Sequence, residues 1–352
     1  MPDWSQSMQQ SYEYYIVDPV TWRDKRRVEH VKSCSINRDA TSETLGSAII
    51  DVGEPLGECY IRAYLITIQN GLKEKHPLAT FLVQTPTSEF NGKSEIISLD
   101  AYTPLLELKE NPPPLGFSLL EGDNIMEKAR QLTREHMRAP VSGVDCNTLL
   151  TYDFVANTND TWISFLSSLM MNAKYSYQLD EMGRVLFLPK QDTASLQPIW
   201  TYDSGNSSIL YPEISVNRDL YEIPNVVEVV YSRGSGYLTA TAINDDSNSP
   251  TSIVNRGRPI TRRITDPDLS GSADQEYVQE YAELALRELS TLEYTVSYTH
   301  GYCPVRINDC VRLNYPEAGL VNIKAKVISQ SIKCSLGCPV TEKAVFTAKL
   351  WG

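Results

Sequence analysis

Residues 58–71 read ECYIRAYLITIQNG. Tyr60, Arg62, Tyr64, Ile66 and Ile68 share one face of an extended chain, and Ile61, Ala63, Leu65 and Thr67 share the other. A period of two in a run rich in β-branched and aromatic residues predicts a strand. Asn70-Gly71 tolerates positive φ and predicts a hairpin turn after it. More strands flank it: VEHVKSCSINR (28–38), whose apolar members are Val28, Val31, Cys34 and Ile36, LGSAIIDVG (45–53), PLATFLVQT (77–85) and KSEIISLDAYTPLLELK (93–109). Asn91-Gly92 marks another turn. Strands at this spacing, with no helix between them, suggest a barrel or sandwich. Residues 28–109 are therefore expected to form a first β-barrel. Residues 1–27 precede it as an N-terminal arm, polar and aromatic, ending in the basic cluster RDKRR at 23–27. The plain reading of such a cluster is a solvated face or a contact with acidic neighbours.

ENPPPLGFS (110–118) interrupts the strands, because consecutive prolines cannot donate to a ladder. An α+β insert is expected over 110–200. EGDNIMEKARQLTREHM (121–137) predicts a helix capped by Asp123, with Ile125, Ala129, Leu132 and His136 as its stripe. A second helix is expected from Asn159 to Asn172, capped by Asn159 or Asp160. Trp162, Phe165, Leu166, Leu169 and Met170 lie on it at helical spacing. YSYQL and RVLFLP follow as a hairpin. The aromatic and methionine stripe has two readings, a pocket wall or a small core. No polar or titratable group converges on it in sequence, as a ligand site would require, so packing against Tyr175, Tyr177, Val185 and Phe187 is expected.

Strands resume over 201–352, read as a second β-barrel region. Those within 201–224 complete either the first barrel or the insert. Residues 225–244 read as a hairpin closed through RGSG (233–236). One helix is expected at 272–290, with Ser272 and Gln275 as a capping box and Tyr277, Val278, Tyr281, Ala282, Ala285 and Leu289 as its apolar face. The last 60 or so residues alternate as strands again. The fold class expected is mostly β, with two barrel domains and a small helix-and-hairpin insert.

The chain has 352 residues, 41% apolar and 22% charged, which suits a folded protein with room for real cores. It carries 32 basic and 44 acidic side chains, a net charge of −12. That excludes DNA binding by bulk phosphate neutralisation. Tyrosines number 20 against 7 phenylalanines, a bias that suits half-buried strand faces and interfaces. No apolar run approaches the roughly 18 residues of a spanning helix, and no secretory leader is legible at the start. The odd count of 7 cysteines agrees with reduced thiols.

Chemical motifs are few. Neither H-E-x-x-H, a phosphate-loop signature nor G-x-S-x-G occurs. His30, His76, His136 and His300 are scattered, and His136 reads as a packing residue. RGSG lacks the βαβ surroundings of a phosphate loop. Asp266, Asp268, Ser270 and Gly271 imitate the first half of a calcium loop, but Tyr277 stands where the bidentate glutamate belongs and Glu276 falls one short. Cys303, Cys310, Cys334 and Cys338 could form a four-thiolate site. Their first pair is spaced C-x6-C rather than C-x2–4-C, and Cys310 reads as an apolar strand residue. No catalytic residue, metal or cofactor is assigned.

The order of elements resembles the hub proteins of tailed-phage baseplates and tail tips. The resemblance is one of layout along most of the chain. Residues 31–53 resemble that family's opening hairpin, 121–137 the helix after its first barrel, and 160–190 its helix-plus-hairpin with a D-x-x-G-R turn. PNVVEVVYS (224–232) resembles its re-entry into the barrels and VRINDCVRLNY (305–315) a late strand pair. The resemblance implies two tail-tube-like β-barrels per chain and a homotrimer forming a pseudo-sixfold collar. The collar would adapt a hexameric tail tube or distal-tail ring to a threefold spike or tip, contact the tape-measure protein and line the DNA conduit. It would belong to the virion, be assembled in the host cytoplasm and catalyse no reaction. Many members continue into lytic modules, whereas this chain stops after the barrel strands, so no wall-degrading activity of its own is expected. The alternatives are a peptidoglycan-degrading or metal-dependent enzyme of the tail tip, or the hub of a contractile injection or secretion machine.

Overall fold

The computed structural model describes residues 2–90, 92, 95–218, 220, 223–233, 236–267 and 274–351. The chain forms two compact units, Met1–Ile214 with Ser297–Ala344, and Ser215–Val296 with Val345–Gly352.

The first unit begins with β1 (Gln9–Val17), β2 (Asp24–Arg27), β3 (Val31–Asp39), β4 (Gly46–Val52), β5 (Cys59–Gln69), β6 (Leu72–Phe90) and β7 (Glu95–Tyr102). It continues through α1 (Leu106–Lys109), β8 (Ser118–Leu119), α2 (Ile125–His136), β9 (Phe154–Val155), α3 (Trp162–Asn172), β10 (Tyr175–Leu179), β11 (Val185–Pro189) and β12 (Trp200–Asp203). The chain enters the second unit within β13 (Leu210–Arg218) and there forms β14 (Val226–Arg233), β15 (Gly236–Ile243), α4 (Ile253–Arg256), β16 (Thr261–Thr265) and α5 (Gln275–Leu289). It returns within β17 (Thr291–Gly301), adds β18 (Cys310–Tyr315) and β19 (Leu320–Lys333), and leaves again within β20 (Pro339–Lys349).

The principal sheet has the order β13-β17-β20-β19-β3-β4-β7-β6-β5-β1-β2, with β18 on β19 and β12 on β18. The two strand groups expected as separate barrels are thus joined in one ladder, and no closed barrel is formed among the described residues. The join is the antiparallel β19–β3 pairing, from Ser329↔Asp39 to Lys333↔Ser35. Residues 9–27, expected within an arm, are instead β1 and β2: β1 pairs with β5 from Gln9↔Ile68 to Val17↔Tyr60. The aromatic residues of β1 cover what would otherwise be an exposed edge. β5 is also buried on both faces, with Tyr60 and Arg62 on one and Ile61, Ala63 and Leu65 on the other. Asn70 and Gly71 both take positive φ, 51° and 78°, as the turn between β5 and β6 demands. Asn91 lies outside the described residues.

Around α2, α3 and the β10–β11 hairpin a separate apolar cluster forms, and its members match the expected stripe. Trp162, Phe165, Leu166, Leu169 and Met170 are all buried with Tyr177, Val185 and Phe187. His136 stacks on Trp162 with ring centroids 4.0 Å apart, as a packing residue. The caps differ from expectation by one or two residues. Asn124, not Asp123, caps α2 by accepting from the Glu127 amide at 2.9 Å, while Asp123 accepts from the Leu120 amide. Thr161 caps α3, which starts at Trp162 rather than Asn159, through a reciprocal box with Ser164. Asp160 instead accepts from the Asn157 amide at 2.8 Å. In each case the cap is the last residue with extended backbone, which composition alone does not locate.

The second unit pairs its strands in the order β15-β14-β16. Val278, Ala282, Ala285 and Leu286 of α5 pack with Val227, Val229, Ala240 and Ala242. The apolar face is narrower than expected and is completed by Leu286, while Tyr277 and Leu289 are exposed. Asp274 caps the helix by accepting from the Tyr277 amide at 3.0 Å. Asp268, Ser270, Gly271 and Ser272, and Gly234 and Ser235 of the RGSG turn, lie outside the described residues. Asp266 bonds the Ser232 amide at 2.7 Å, a tie to the hairpin.

Trp162→Ala is expected to destabilise the protein by about 3–5 kcal/mol, the range for truncating a buried tryptophan. Urea unfolding followed by far-UV circular dichroism measures it, and an unchanged midpoint would return the stripe to the pocket reading.

Candidate functional site

Three features of the first unit concentrate polar chemistry. The first is the turn between β10 and β11, DEMGR (180–184). Gly183 has φ 75°, and a Cβ there would lie 2.8 Å from the Thr80 Cβ and 3.2 Å from the Trp22 ring. Only glycine permits this approach of the turn to β6. The Met182 carbonyl accepts from Trp22 Nε1 at 2.7 Å and from Arg62 Nη2 at 3.1 Å. Arg62 is 1% exposed and is held by Asp24 Oδ1 at 2.7 Å and Thr80 Oγ1 at 2.9 Å. A buried guanidinium is tolerable when its donors are occupied in this way. Glu181 accepts Nε and Nη2 of Arg306 at 2.5 and 2.6 Å, a bidentate pair.

The second feature is a buried polar cluster across β12, β17, β19, β20 and β3. Glu342 and His300 have 0% exposure and approach to 3.4 Å. Tyr298 donates to Glu342 Oε1, and Gln330 Nε2 donates to Oε2 at 2.7 Å. Gln330 Oε1 accepts from Arg38 Nη1 at 2.9 Å, and Arg38 also donates to the Leu78 carbonyl. His300 Nδ1 lies 2.7 Å from the Gly301 carbonyl, Tyr202 Oη lies 3.1 Å from Nε2, and Tyr202 reaches the Cys303 sulfur at 3.3 Å. Burial opposes the imidazolium, but hydrogen bonds to Cys303 and Glu342 and the Glu342 charge outweigh it, raising His300 to about 10. Burial, then the Glu342 charge, push the Tyr298 phenol well up. Histidine, glutamate, tyrosine and cysteine are the residue types of acid–base sites, yet here they are enclosed and bonded to one another. The arrangement fixes strands in register and offers no face to a substrate.

The third feature is an open groove of about 810 Å³ between the β3–β4 loop, α3 and β11. Met171, Leu188 and Ile199 form apolar parts of its wall, and Lys190 and Lys326 its cationic part. Burial, then the charge of Lys190, lowers Lys326. A carboxylate placed between the two ammonium groups would offset their mutual repulsion.

The four late cysteines are distributed rather than gathered. Cys303 adjoins Tyr202 and His300, Cys310 is a buried residue of β18, and Cys334 lies beside Cys34. Cys338 contacts the Tyr12 hydroxyl. Among the described residues, no group of three or more His, Cys, Asp or Glu side chains is arranged to hold a metal ion. The basic cluster at 23–27 meets acidic neighbours: Arg26 pairs with Glu54 at 3.2 Å and Arg27 lies 3.9 Å from Glu13. No described helix is long and apolar enough to cross a membrane. Sequence reasoning missed Arg62, Gln330 and Glu342, whose partners lie on other strands. An arginine between aliphatic and tyrosine residues in the best-patterned strand was the available signal.

Two predictions follow from the packing. Gly183→Ala should lower stability by about 1–3 kcal/mol, the scale of a strained backbone position, read from urea midpoints. For His300, the imidazole stays protonated in the folded chain to about pH 10 but loses its proton near 6.5 when unfolded. Its pairing with Glu342 thus contributes fully below about pH 6.5 and is lost as pH rises through 10. Stability of wild type minus that of His300→Gln should fall across this window, and a flat difference would remove the imidazolium from the account.

No protein-family model matches the chain, and no curated protein matches it in sequence. Solved structures do match along nearly its full length. The tail protein from Neisseria meningitidis MC58 superposes with a TM-score of 0.62 at 13% identity, covering 97% of this chain and 98% of that one. The 43 kDa tail protein of prophage MuSo2 from Shewanella oneidensis gives 0.63 at 11% identity, covering 96% and 98%. A chain of the Francisella PdpA–VgrG complex gives 0.56 at 8% identity, covering 97% of this chain and 58% of that one. At these identities the likeness is one of architecture: from end to end, this chain has the fold of the Neisseria tail protein and the Shewanella prophage tail protein.

Proposed function

We propose that this chain is a structural hub of a phage-type tail tip or baseplate. In this reading it is a homotrimer that adapts a hexameric tail tube to a threefold central spike or tip and lines the DNA conduit. The observation that carries the reading is the end-to-end fold likeness to two tail proteins, each matched over 98% of its own length. The ladder supports it: strands β3–β7 and strands β17–β20 form two groups joined through the β19–β3 pairing, as two fused tube-like modules would. The insert over 110–200 braces them, with its turn locked by Glu181–Arg306. The enclosure of every titratable group around Glu342 supports a scaffold rather than an enzyme. A net charge of −12 suits a conduit along which DNA slides without sticking.

The partners are then a tail-tube or distal-tail ring on one side, a spike or tip on the other, and the tape-measure protein within. The protein would reside in the virion after assembly in the host cytoplasm. A second reading, the corresponding hub of a contractile injection or secretion machine, draws on the likeness to a chain of the PdpA–VgrG complex. The identity of neighbouring genes separates the two.

Mass photometry and negative-stain microscopy of the purified chain, alone and with candidate tube and spike proteins, test the proposal. A trimer, or a threefold ring formed on adding a partner, is the expected outcome. A monodisperse monomer that joins neither partner overturns it.

A further inference from the structure

The β19–β3 pairing ends at Lys333↔Ser35. One residue further, the Cys334 amide donates to the Cys34 carbonyl at 3.0 Å. Cys34 and Cys334 therefore continue the register as a directly opposed pair, with side chains on one face of the sheet. Opposed residues of a hydrogen-bonded antiparallel pair have Cα atoms about 5.5 Å apart, inside the roughly 4.4–6.8 Å that a disulfide spans. The Cys34 thiol, with burial second, holds the Cys334 thiol far above its ordinary range. Cys34 is buried and Cys334 only partly so. Cys334 lines an open groove of about 400 Å³ that also takes in Tyr12, Tyr14 and His30. A small molecule can reach Cys334 from that groove, whereas Cys34 is buried.

We propose that Cys34 and Cys334 are an oxidative cross-linking site, closed by a low-molecular-weight disulfide of the glutathione class once the folded chain meets an oxidising medium. The Cys334 thiolate attacks one sulfur of the small disulfide, forming a mixed disulfide and releasing one small thiolate. The Cys34 thiolate then attacks the Cys334 sulfur, forming the protein disulfide and releasing the second. Two protein thiols are oxidised, one small disulfide is reduced, and the two protons the protein thiols give up are taken by the two released small thiolates. The bond joins residues 300 positions apart, and so restricts the unfolded chain strongly. Cys338 competes for Cys334 from four residues away, but it is buried and engaged with the Tyr12 hydroxyl. The cross-link does not depend on the tail reading.

The test uses the full chain, purified reduced, freed of reductant and incubated with oxidised glutathione at pH 8.5. Remaining thiols are alkylated, and the non-reduced digest is analysed by mass spectrometry. The expected result is a peptide carrying Cys34 joined to one carrying Cys334, with free thiols falling from 7 by two. The thermal midpoint should rise by several degrees and return to its starting value on reduction. Cys34→Ser should fold, leave glutathione on Cys334 and show no rise. Thiols that stay free, glutathione adducts that never resolve in the wild-type chain, or a Cys334–Cys338 link would each overturn the proposal.

Discussion

The join between the early and late strands of the first unit hangs on how a fully buried carboxylate is satisfied. Glu342 lies inside the sheet with donors converging from Tyr298, Gln330 and His300. A charge so placed is tolerable only if each donor is held in position by something else. Gln330 is held because its other amide atom takes Arg38, and Arg38 belongs to β3. The carboxylate on β20 therefore reaches, through one glutamine side chain, the strand that begins the N-terminal ladder. Register at the β19–β3 join is set by this chain of donors as well as by the backbone, since a slip of one residue would turn Gln330 away from both partners.

The insert is attached by a different principle. Its own core, around Trp162 and Phe165, also takes in Leu105 and Leu108, with Trp22 and Leu45 packed against it. Its polar grip centres on a turn whose Met182 carbonyl takes two donors and whose Glu181 carboxylate takes a bidentate arginine, and Gln178 adds a bond to the Ile307 carbonyl. Gly183 makes the approach possible by having no side chain. The tail-like fold thus combines an apolar module with a polar latch, and the latch residues come from segments far apart in the chain.

What the sequence disclosed follows the same division. Local periodicity revealed β5, the Asn70-Gly71 turn, both insert helices and the apolar partners of Trp162. These depend on neighbours within a few residues or on one amphipathic face. The joining of the early and late strands was not legible, because Arg38 and Gln330 are 292 positions apart and nothing near either residue names its partner. Helix caps were misplaced by a residue or two because several adjacent side chains could each accept the bond, and backbone conformation chose among them. Reading β1 and β2 as an arm failed for the converse reason: their polar character is that of an outer strand pair, and the strand they cover is found only in three dimensions.

The β19–β3 join also fixes an order of events at the ribosome. The outer edge of β3 is made early, and its partner strand emerges nearly three hundred residues later. At about 5–20 residues per second, that is a wait of roughly 15–60 s. Throughout it β3 presents unpaired amides and carbonyls to any other extended segment in reach. Nascent chains on one message stand close together with the same edge open, so the interval favours pairing between neighbours over pairing within one chain. Synthesis speed and holdase supply, more than final stability, then govern how much protein reaches the native ladder.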